Sequence, residues 1–408
     1  MKMKILLTTA FAASLFSAGA QSANRGFAIT GNGTKDFVWM NIRQVDLGTG
    51  QVTGTVFDYT RTKYTMEAQG VSKQNASDQS PTSGFVAAAA YDQRSEKLFF
   101  TPMRTGQLRW LDVNSKGDAV AFHSVEIPGY VPSTGIDEGN NITRMVIGAD
   151  NYGYAVNNDG SHLYRFTTGK KPVVTDLGAL VDADENKGLS VHNKCSSWGG
   201  DMIADAYGKL YIIAATRNVF VVDVNTLVAT FKGTITGLPG NYSTNGAAVD
   251  ADGNVVLTSA IAFEGYYKMS IKDLAAKKIE GSDNVYNASD LASSNLLFQK
   301  EADAARRFVT DNKNANPAAT TQPTMVYPNP VTGSSFNLLL DRSLNGNYTV
   351  ILTDLAGRSI QTNKAGIVKG QDSYRVNLTG VRPSKGTYLI KVLDEKNNVV
   401  MSDKVFIL

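Results

Sequence analysis

Short apolar runs alternate with polar turns from residue 25 to residue 300, a pattern that predicts β-strands. Four stretches repeat one order of events: a small apolar strand, a polar turn, an aromatic strand, a third strand that ends near Asp or Thr, and a fourth strand. These predicted units span residues 85–127, 143–177, 200–235 and 246–281. Repetition of four-stranded units predicts a β-propeller, because one such sheet cannot bury both faces and must stack on the next.

The spacing of one position predicts the number of blades. The residue that ends the third strand recurs roughly every 50 to 66 residues, as Asp46, Asp112, Thr167, Asp223 and Asp273. Five such positions predict a closed ring of five blades. The fifth blade is then shared, with one strand from 295–299 and the others from 26–30, 37–46 and 51–59. Strands hidden in residues 61–84 would make six or seven blades, and a β-sandwich or another all-β fold stays open.

Small residues dominate the first strand of each unit. The sequence of four alanines, Ala87 to Ala90, is the strongest case, and Ala247 and Ala248 occupy the corresponding place in the fourth unit. We expect these strands to be innermost, since bulky side chains would collide around a central axis. The alternative is a helix, because Ala is the best helix former.

The first 20 residues have the anatomy of a secretory signal peptide. Lys2 and Lys4 precede an apolar stretch over residues 5–16, and Ala18-Gly19-Ala20 supplies small residues for cleavage. No later stretch is long and apolar enough to predict a transmembrane helix. The full chain has 40 basic and 37 acidic residues, a net charge of +3, which argues against nucleic acid as the main partner.

The C-terminal residues carry a recognisable set of motifs. They are Tyr327-Pro328-Asn329-Pro330, the run from Asp354 to Gly357 and Arg358, Gly386 with Tyr388, and the final Lys404 to Leu408. Residues 325–408 resemble the type A sorting domain that Bacteroidetes attach to cargo of the type IX secretion system. The resemblance implies recognition by the outer-membrane translocon and its shuttle or sortase. It also implies passage through the periplasm to the cell surface or the medium.

The composition around this tail divides the chain into domains. Residues 1–20 form the signal peptide, 21–300 the propeller, 301–324 a polar linker, and 325–408 the sorting domain. Tyr348, Val350 and Leu352 alternate with polar residues in this last part, which predicts strands of a small antiparallel β-sandwich.

Long connections between predicted blades are where binding residues are expected. They are residues 60–84, 128–141, 178–199, 237–245 and 282–294. All five lie on one face of a propeller, and that face gathers rings, carboxylates and guanidinium groups suited to a glycan or protein ligand. The candidate ligand-binding residues are Tyr130, Asp137, Glu138, His192, Trp198, Tyr242, Arg104, Arg217 and Glu264. Ordinary loop polarity is the alternative explanation.

One loop has the alternate spacing of oxygen-bearing side chains that allows Ca²⁺ binding. Asp182, Asp184 and Asn186 provide them, but the later Gly188 and Asn193 depart from the EF-hand pattern, so a solvated acidic loop is the alternative. No other cofactor is indicated. The single Cys195 cannot form an intramolecular disulfide and is expected to be a partly buried bystander, and its proximity to His192 lacks the third residue of a catalytic triad.

The sequence therefore predicts an exported propeller that binds a glycan or a protein. A propeller enzyme, such as a lactonase, lyase or glycoside hydrolase, is the main alternative. An accessory structural component of the surface machinery is another. No catalytic motif distinguishes them.

Overall fold

The computed structural model describes residues 24–68, 80–115, 117–304, 326–340, 342–355, 357–378 and 383–408. The predicted signal peptide and most of the predicted linker lie outside these residues. Contacts divide the chain into two compact units, one ending at Asp303 and the other beginning at Ala304.

Five sheets form the first unit, and in each the strands follow one another outwards from the centre in the order named. Blade I consists of β22 (Ala288–Ala292), β1 (Arg25–Thr30), β2 (Asn41–Asp46) and β3 (Val52–Phe57). Blade II consists of β5 (Val86–Asp92), β6 (Lys97–Pro102), β7 (Gln107–Asp112), β8 (Ala119–Glu126) and β4 (Lys63–Ala68). Blade III consists of β9 (Ile142–Ile147), β10 (Gly153–Asn157), β11 (Leu163–Phe166) and β12 (Val174–Asp176).

The remaining two sheets follow in chain order. Blade IV consists of β14 (Asp201–Ala204), β15 (Lys209–Ile213), β16 (Asn218–Asp223), β17 (Val228–Thr234) and β13 (Val181–Asp182). Blade V consists of β18 (Gly246–Val249), β19 (Val255–Thr258), β20 (Tyr267–Met269) and β21 (Lys277–Lys278). A 3₁₀ turn covers Asp184–Asn186, and residues 299–304 are helical.

The innermost strands close a ring. β5 contacts β9, β9 contacts β14, β14 contacts β18, β18 contacts β22, and β22 returns to β5. The fold is therefore the predicted five-bladed β-propeller. Apolar side chains of adjacent blades interdigitate in separate core clusters, one for each blade-to-blade boundary.

Close packing at the axis explains the small residues there. Ala88, Ala89 and Ala90 are buried. A Cβ atom on Gly246 would lie 2.8 Å from the main chain of Asp290 and Leu291, so no larger residue fits at that position without movement. The alanine-rich run is consequently a strand, because packing against the neighbouring blades overrides its helix propensity.

The prediction for the shared blade was wrong in one respect. The strand that closes the ring is β22, whereas residues 295–299 contribute only an isolated bridge between Leu297 and Asp205. The closing strand contains Ser289 and Asp290, polar residues that hide its strand character. The long connections also contain two strands that were not predicted, β4 and β13, which add in parallel to the outer edges of blades II and IV.

The second unit has two antiparallel sheets around one core. One sheet has the order β23 (Val326–Tyr327), β24 (Ser335–Leu339) and β27 (Ser373–Asn377). The other has the order β26 (Ser359–Ile367), β25 (Gly346–Thr353), β28 (Gly386–Leu393) and β29 (Val399–Ile407). Phe336 and Val376 from the first sheet join Val350, Ile390 and Val405 from the second in a single cluster, as expected for a β-sandwich.

Candidate functional site

The propeller has two faces that differ in the length of their connections. We call the face with the connections between blades, and between the second and third strands of a blade, the long-loop face. The opposite face carries the turns between first and second strands and between third and fourth strands, and we call it the tight-turn face.

Side-chain oxygens fix the turns of the tight-turn face. In all nine of these turns an Asp or Thr at the end of the incoming strand accepts a hydrogen bond from a main-chain N–H within the turn. The acceptors are Asp46, Asp92, Asp112, Asp150, Thr167, Asp205, Asp223, Asp250 and Asp273. In eight of the turns the acceptor is an Asp, whose short side chain reaches the backbone two residues on, and in the ninth Thr167 accepts the N–H of Val173. The periodic positions that predicted five blades are five of these nine.

Four charged and aromatic residues meet on the long-loop face above blade III. Glu138 Oε2 lies 4.0 Å from Lys194 Nζ, which lies 5.3 Å from the centre of the Trp198 ring. Trp198 Nε1 donates to the carbonyl of His192, whose Nδ1 lies 2.6 Å from the carbonyl oxygen of Asp159. The structure thus brings together three of the predicted ligand-binding residues, His192, Trp198 and Glu138. The exposed Asp137 lies in the same loop as Glu138 and accepts the N–H of Gly139.

A second group of predicted residues lies between blades II and III. Arg104 is exposed and donates to the carbonyl of Gly135. Tyr130 packs against Gly106 and is half-buried, so that burial raises its pKa. Glu264 stands apart from both groups, exposed in the β19–β20 loop of blade V.

Two predicted binding residues make contacts within the propeller; Tyr242 is buried, whereas ligand binding by the partly exposed Arg217 stays a prediction. Tyr242 is 1% exposed and its hydroxyl donates to the carbonyls of Leu257 and Gly265, so it cannot contact a ligand at the surface. Arg217 donates to the carbonyls of Pro239, Gly240 and Tyr242 and thereby holds the loop that precedes blade V. Nothing in the sequence distinguishes a buried aromatic residue in a polar loop from an exposed one. Cys195, expected to be partly buried, is exposed.

The long-loop face also carries an aromatic ridge that the sequence analysis missed. Phe263 of blade V lies 5.4 Å from Phe37 of blade I, Phe37 lies 6.0 Å from Trp39, and Trp39 lies 6.0 Å from Phe85 of blade II, all measured between ring centres. Phe37 is 49% exposed and Phe263 is 42% exposed. These four residues, which we call the aromatic ridge, cross three blades.

Asn287 ties together the two loops that present the outer end of the ridge. Its amide nitrogen donates to the carbonyl of Asp36, next to Phe37, at 3.0 Å and to the carbonyl of Ala260 at 2.8 Å. The Asp36 carboxylate in turn accepts the N–H groups of Asn32 and Phe37. The exposed rings are therefore held by a defined backbone. No periodic pattern in the sequence could have revealed them, because the residues come from three blades.

The predicted calcium loop is stabilised by its own hydrogen bonds. Asp182 accepts from Ser190 Oγ and the N–H of Val191, and the buried Asn186 accepts the N–H of Phe231 and donates to the carbonyl of Ala229. Asp184 is exposed. The described residues contain no group of three or more His, Cys, Asp or Glu side chains placed to hold a metal ion. Calcium binding by Asp182, Asp184 and Asn186 stays a prediction.

Carboxyl groups converge at the axis of the propeller, in a region we call the hub. Asp201 of β14 and Asp290 of β22 are both 0% exposed, and the two carboxyl groups are close enough to interact. Burial raises the pKa of each well above the usual value, and the like charge of Asp201 raises that of Asp290 further. The adjacent axial cavity measures about 10 Å³, room for no more than one water molecule. A substrate therefore has no access to this pair.

A larger groove runs along the outer part of blade IV. It measures about 550 Å³ and is lined by Val221, Val228, Thr230 and Phe231, with Lys232 and the ion pair between Lys209 and Asp223. Burial acts to raise the pKa of Asp223, but hydrogen bonds from Lys209 and the Asn225 N–H outweigh it and lower that pKa. The carboxylate is committed to its turn and to Lys209.

The motif residues of the second unit shape its turns. Asp354 accepts from the N–H and the guanidinium of Arg358, with Gly357 at a φ of 81° between them. Asn329 bonds to main-chain atoms of Lys404 and Phe406, and the Tyr388 hydroxyl donates to the carbonyl of Ser384. Pro328 and Pro330 are exposed, Gly386 begins β28, and the side chain of Tyr327 lies outside the described residues.

Comparison with known families gives this second unit an identity. Residues 325–407 match the model of the secretion system C-terminal sorting domain. The chain is cargo of the type IX secretion system. It is therefore exported to the cell surface or secreted, as the sequence resemblance implied. Among the described residues, no helix is long and apolar enough to cross a membrane.

Solved structures resemble the cargo chain only distantly. Streptogramin B lyase shares 12% identity with a TM-score of 0.32, over 58% of this chain and 64% of the lyase. A protein of unknown function from Bacteroides thetaiotaomicron shares 14% identity with a TM-score of 0.34, over 59% of this chain and 54% of its own. Another protein of unknown function, from Bacteroides caccae, shares 9% with a TM-score of 0.33, over 93% and 94%. The search of curated sequences returned no match. Strand order and ring closure define the fold.

Proposed function

We propose that the propeller is a binding module that docks onto a partner protein at the bacterial surface through the aromatic ridge. The observation that carries this proposal is the contact between Phe37 and Phe263, two exposed rings from different blades held 5.4 Å apart. Clusters of exposed apolar side chains on an otherwise polar surface are typical of interaction sites.

The chemistry of the ridge favours a protein over a glycan. Ile261, 55% exposed, lies in the same loop as Phe263 and extends its apolar character. Protein interfaces concentrate aromatic and aliphatic side chains at their centre with a polar rim. Here the rim is supplied by Lys35, Asp36 and Glu264. Glycan sites need several hydrogen-bond donors and acceptors beside each ring, and Phe rings offer none.

The hub supports binding over catalysis as the function. A propeller enzyme would need its carboxyl groups to contact a substrate, whereas Asp201 and Asp290 are sealed from solvent. The long-loop face instead presents exposed carboxylates, Asp137 and Glu138 in one loop and Glu264 in another.

The test uses the mature full-length protein on two arrays, one of surface proteins from a Bacteroidetes bacterium and one of glycans. We expect binding to a protein that is weakened about 30-fold or more by Phe37→Ala combined with Phe263→Ala, since central aromatic residues contribute most of the free energy of binding. Tyr207→Ala is the matched control, because Tyr207 is also 49% exposed but lies on the tight-turn face.

Two outcomes would contradict the proposal. Binding that survives the Phe37 and Phe263 substitutions but is lost with Tyr207→Ala would place the interface on the opposite face. Binding confined to the glycan array would identify a sugar-binding module instead.

A further inference from the structure

The hub contains a buried polar cluster that ligand binding at the aromatic ridge does not use. Asp201 Oδ2 accepts the N–H of Ala247 in β18 at 2.7 Å and that of Leu291 in β22 at 3.4 Å, and its Oδ1 accepts the N–H of Met202. Asp290 Oδ1 accepts the N–H of Ala89 in β5 at 3.0 Å. The two carboxyl groups therefore link the innermost strands of blades I, II, IV and V.

One atom of this cluster is left without a partner when both groups are ionised. Asp290 Oδ2 is buried and accepts no hydrogen bond from any described donor. Buried polar atoms in native proteins are nearly always paired. A proton on this oxygen, donated to Asp201, gives Asp290 Oδ2 its missing bond and turns a repulsive contact into an attractive one.

Charge balance at the hub also favours one proton on the two carboxyl groups. Arg144 of β9 is fully buried and donates to the carbonyls of Asn157, Ser197 and Gly199. Burial lowers its pKa to about 10, opposed by the charges of Asp159 and Asp201, so it stays cationic at neutral pH. Among the fully buried groups, one Arg cation, one carboxylate and one protonated carboxyl sum to zero charge, whereas two carboxylates would leave a net negative charge.

The other titratable side chains on or beside the innermost strands have partners of their own or act on Arg144. The strand β18 has no titratable side chain. Those of β5, Tyr91 and Asp92, lie at its tight-turn end, where Tyr91 bonds Glu96 and Asp92 bonds Arg94. Asp159 lies in the β10–β11 turn and acts on Arg144.

We propose that Asp201 and Asp290 share one proton and that this proton locks the innermost strands of the propeller together. Folding then takes up a proton at neutral pH. A carboxyl group that is protonated only in the folded state stabilises most below its usual pKa of 3.8, and its contribution declines as the pH rises through the folded-state value. Between the usual pKa and the folded-state pKa, the folding equilibrium constant falls about tenfold for each pH unit.

Tryptophan fluorescence isolates the propeller in the full-length protein. All three tryptophans, Trp39, Trp110 and Trp198, lie in the propeller, so the sorting domain does not contribute. Urea unfolding is measured between pH 5 and pH 9 for the wild type and for Asp290→Asn. The asparagine amide donates to Asp201 without a titratable proton, and its oxygen still accepts from Ala89. As the pH rises, the logarithm of the folding constant should fall more steeply for the wild type than for Asp290→Asn. We expect the two slopes to differ by about one unit per pH unit.

Asp205→Asn provides the matched control. Asp205 is also buried, at 3% exposure, and accepts main-chain N–H groups from Tyr207 and Lys209, but it lies in a tight turn away from the hub. This variant should keep the wild-type dependence on pH, whatever its overall stability. Repeating the series with EDTA should change nothing, which distinguishes a shared proton from a bound divalent cation.

A second measurement does not depend on the stability of any variant. Infrared difference spectra of the wild type at pH 7 should show the carbonyl band of a protonated carboxylic acid, and the band should be absent from Asp290→Asn or Asp201→Asn. The proposal is overturned if the wild type lacks this band, if Asp290→Asn retains the wild-type pH dependence, or if EDTA abolishes that dependence.

Discussion

The two faces of the propeller grow from the same five sheets, yet their backbones are fixed in different ways. On the tight-turn face, each of the nine turns is fixed by an Asp or Thr that accepts a main-chain N–H. On the long-loop face, loops are held by side chains that reach further along the sequence, such as Arg217 and Asn287. Local fixation leaves a face little freedom to vary, whereas distant fixation allows loops of many lengths and sequences. Variable loops on a rigid scaffold are where binding sites arise.

Among substitutions in the turns and loops of the two faces, the largest effect is expected from Asp250→Ala on the tight-turn face. Asp250 is buried and accepts the N–H groups of Asp252 and Asn254, which would remain without partners. We expect the free energy of unfolding to fall by about 2 to 4 kcal/mol, measured by urea unfolding with tryptophan fluorescence.

Asp252→Ala, two residues along the same turn, is its control. Asp252 is exposed and makes one surface ion pair with Lys300, so about 1 kcal/mol or less should be lost. Equal losses from the two substitutions would mean that the carboxylate of Asp250 does not fix the turn.

An intermediate effect is expected on the acid side of the pH range. Burial acts to raise the pKa of Asp92, but hydrogen bonds from Thr168, Arg94 and Ser95 outweigh it and hold the pKa below the usual 3.8. A carboxylate with a lowered folded-state pKa stabilises the protein above pH 3.8, and this contribution is lost as the pH falls through the lower value. Asp92→Asn should therefore flatten the decline of the unfolding midpoint below about pH 4.

The exposed Asp112 offers the comparison for this titration, since it heads the same kind of turn. Asp112→Asn should leave the acid decline as it is in the wild type. A flattened curve in both variants would show that acid sensitivity comes from net charge and not from the contacts of Asp92.

The smallest effect is expected on the long-loop face. Phe37 is half exposed, and truncating it removes little buried area, so Phe37→Ala should cost about 1 kcal/mol or less of stability. Phe57→Ala, which truncates a fully buried ring in the same blade, should cost about 3 to 5 kcal/mol. A loss of that size at Phe37 would show that the aromatic ridge is part of the core.

Blade number could be predicted because its signal is local. A turn headed by Asp depends on atoms two to four residues apart, so Asp46, Asp112 and Asp223 mark their blades in the sequence itself. The sorting domain was predictable for a similar reason, since Asp354, Gly357 and Arg358 form one turn.

The rest of the candidate site depends on contacts that no local pattern records. The strand β22 was missed because Ser289 and Asp290 are polar, and they are buried only because they bond to the backbone of other blades. Tyr242 was a predicted binding residue because it lies in a long connection, but its hydroxyl bonds to carbonyls inside the core. The aromatic ridge depends on three blades meeting, and this requires the closed ring.

The position of the closing strand has a consequence for the order of events during synthesis. Since β22 ends at Ala292 and pairs with β1 near the start of the chain, the ring cannot shut until residue 292 of 408 has been made. The sorting domain begins only some thirty residues later. A chain that carries the sorting domain has therefore already received every strand that the propeller needs, and a product terminated before β22 lacks both the closing strand and the sorting domain.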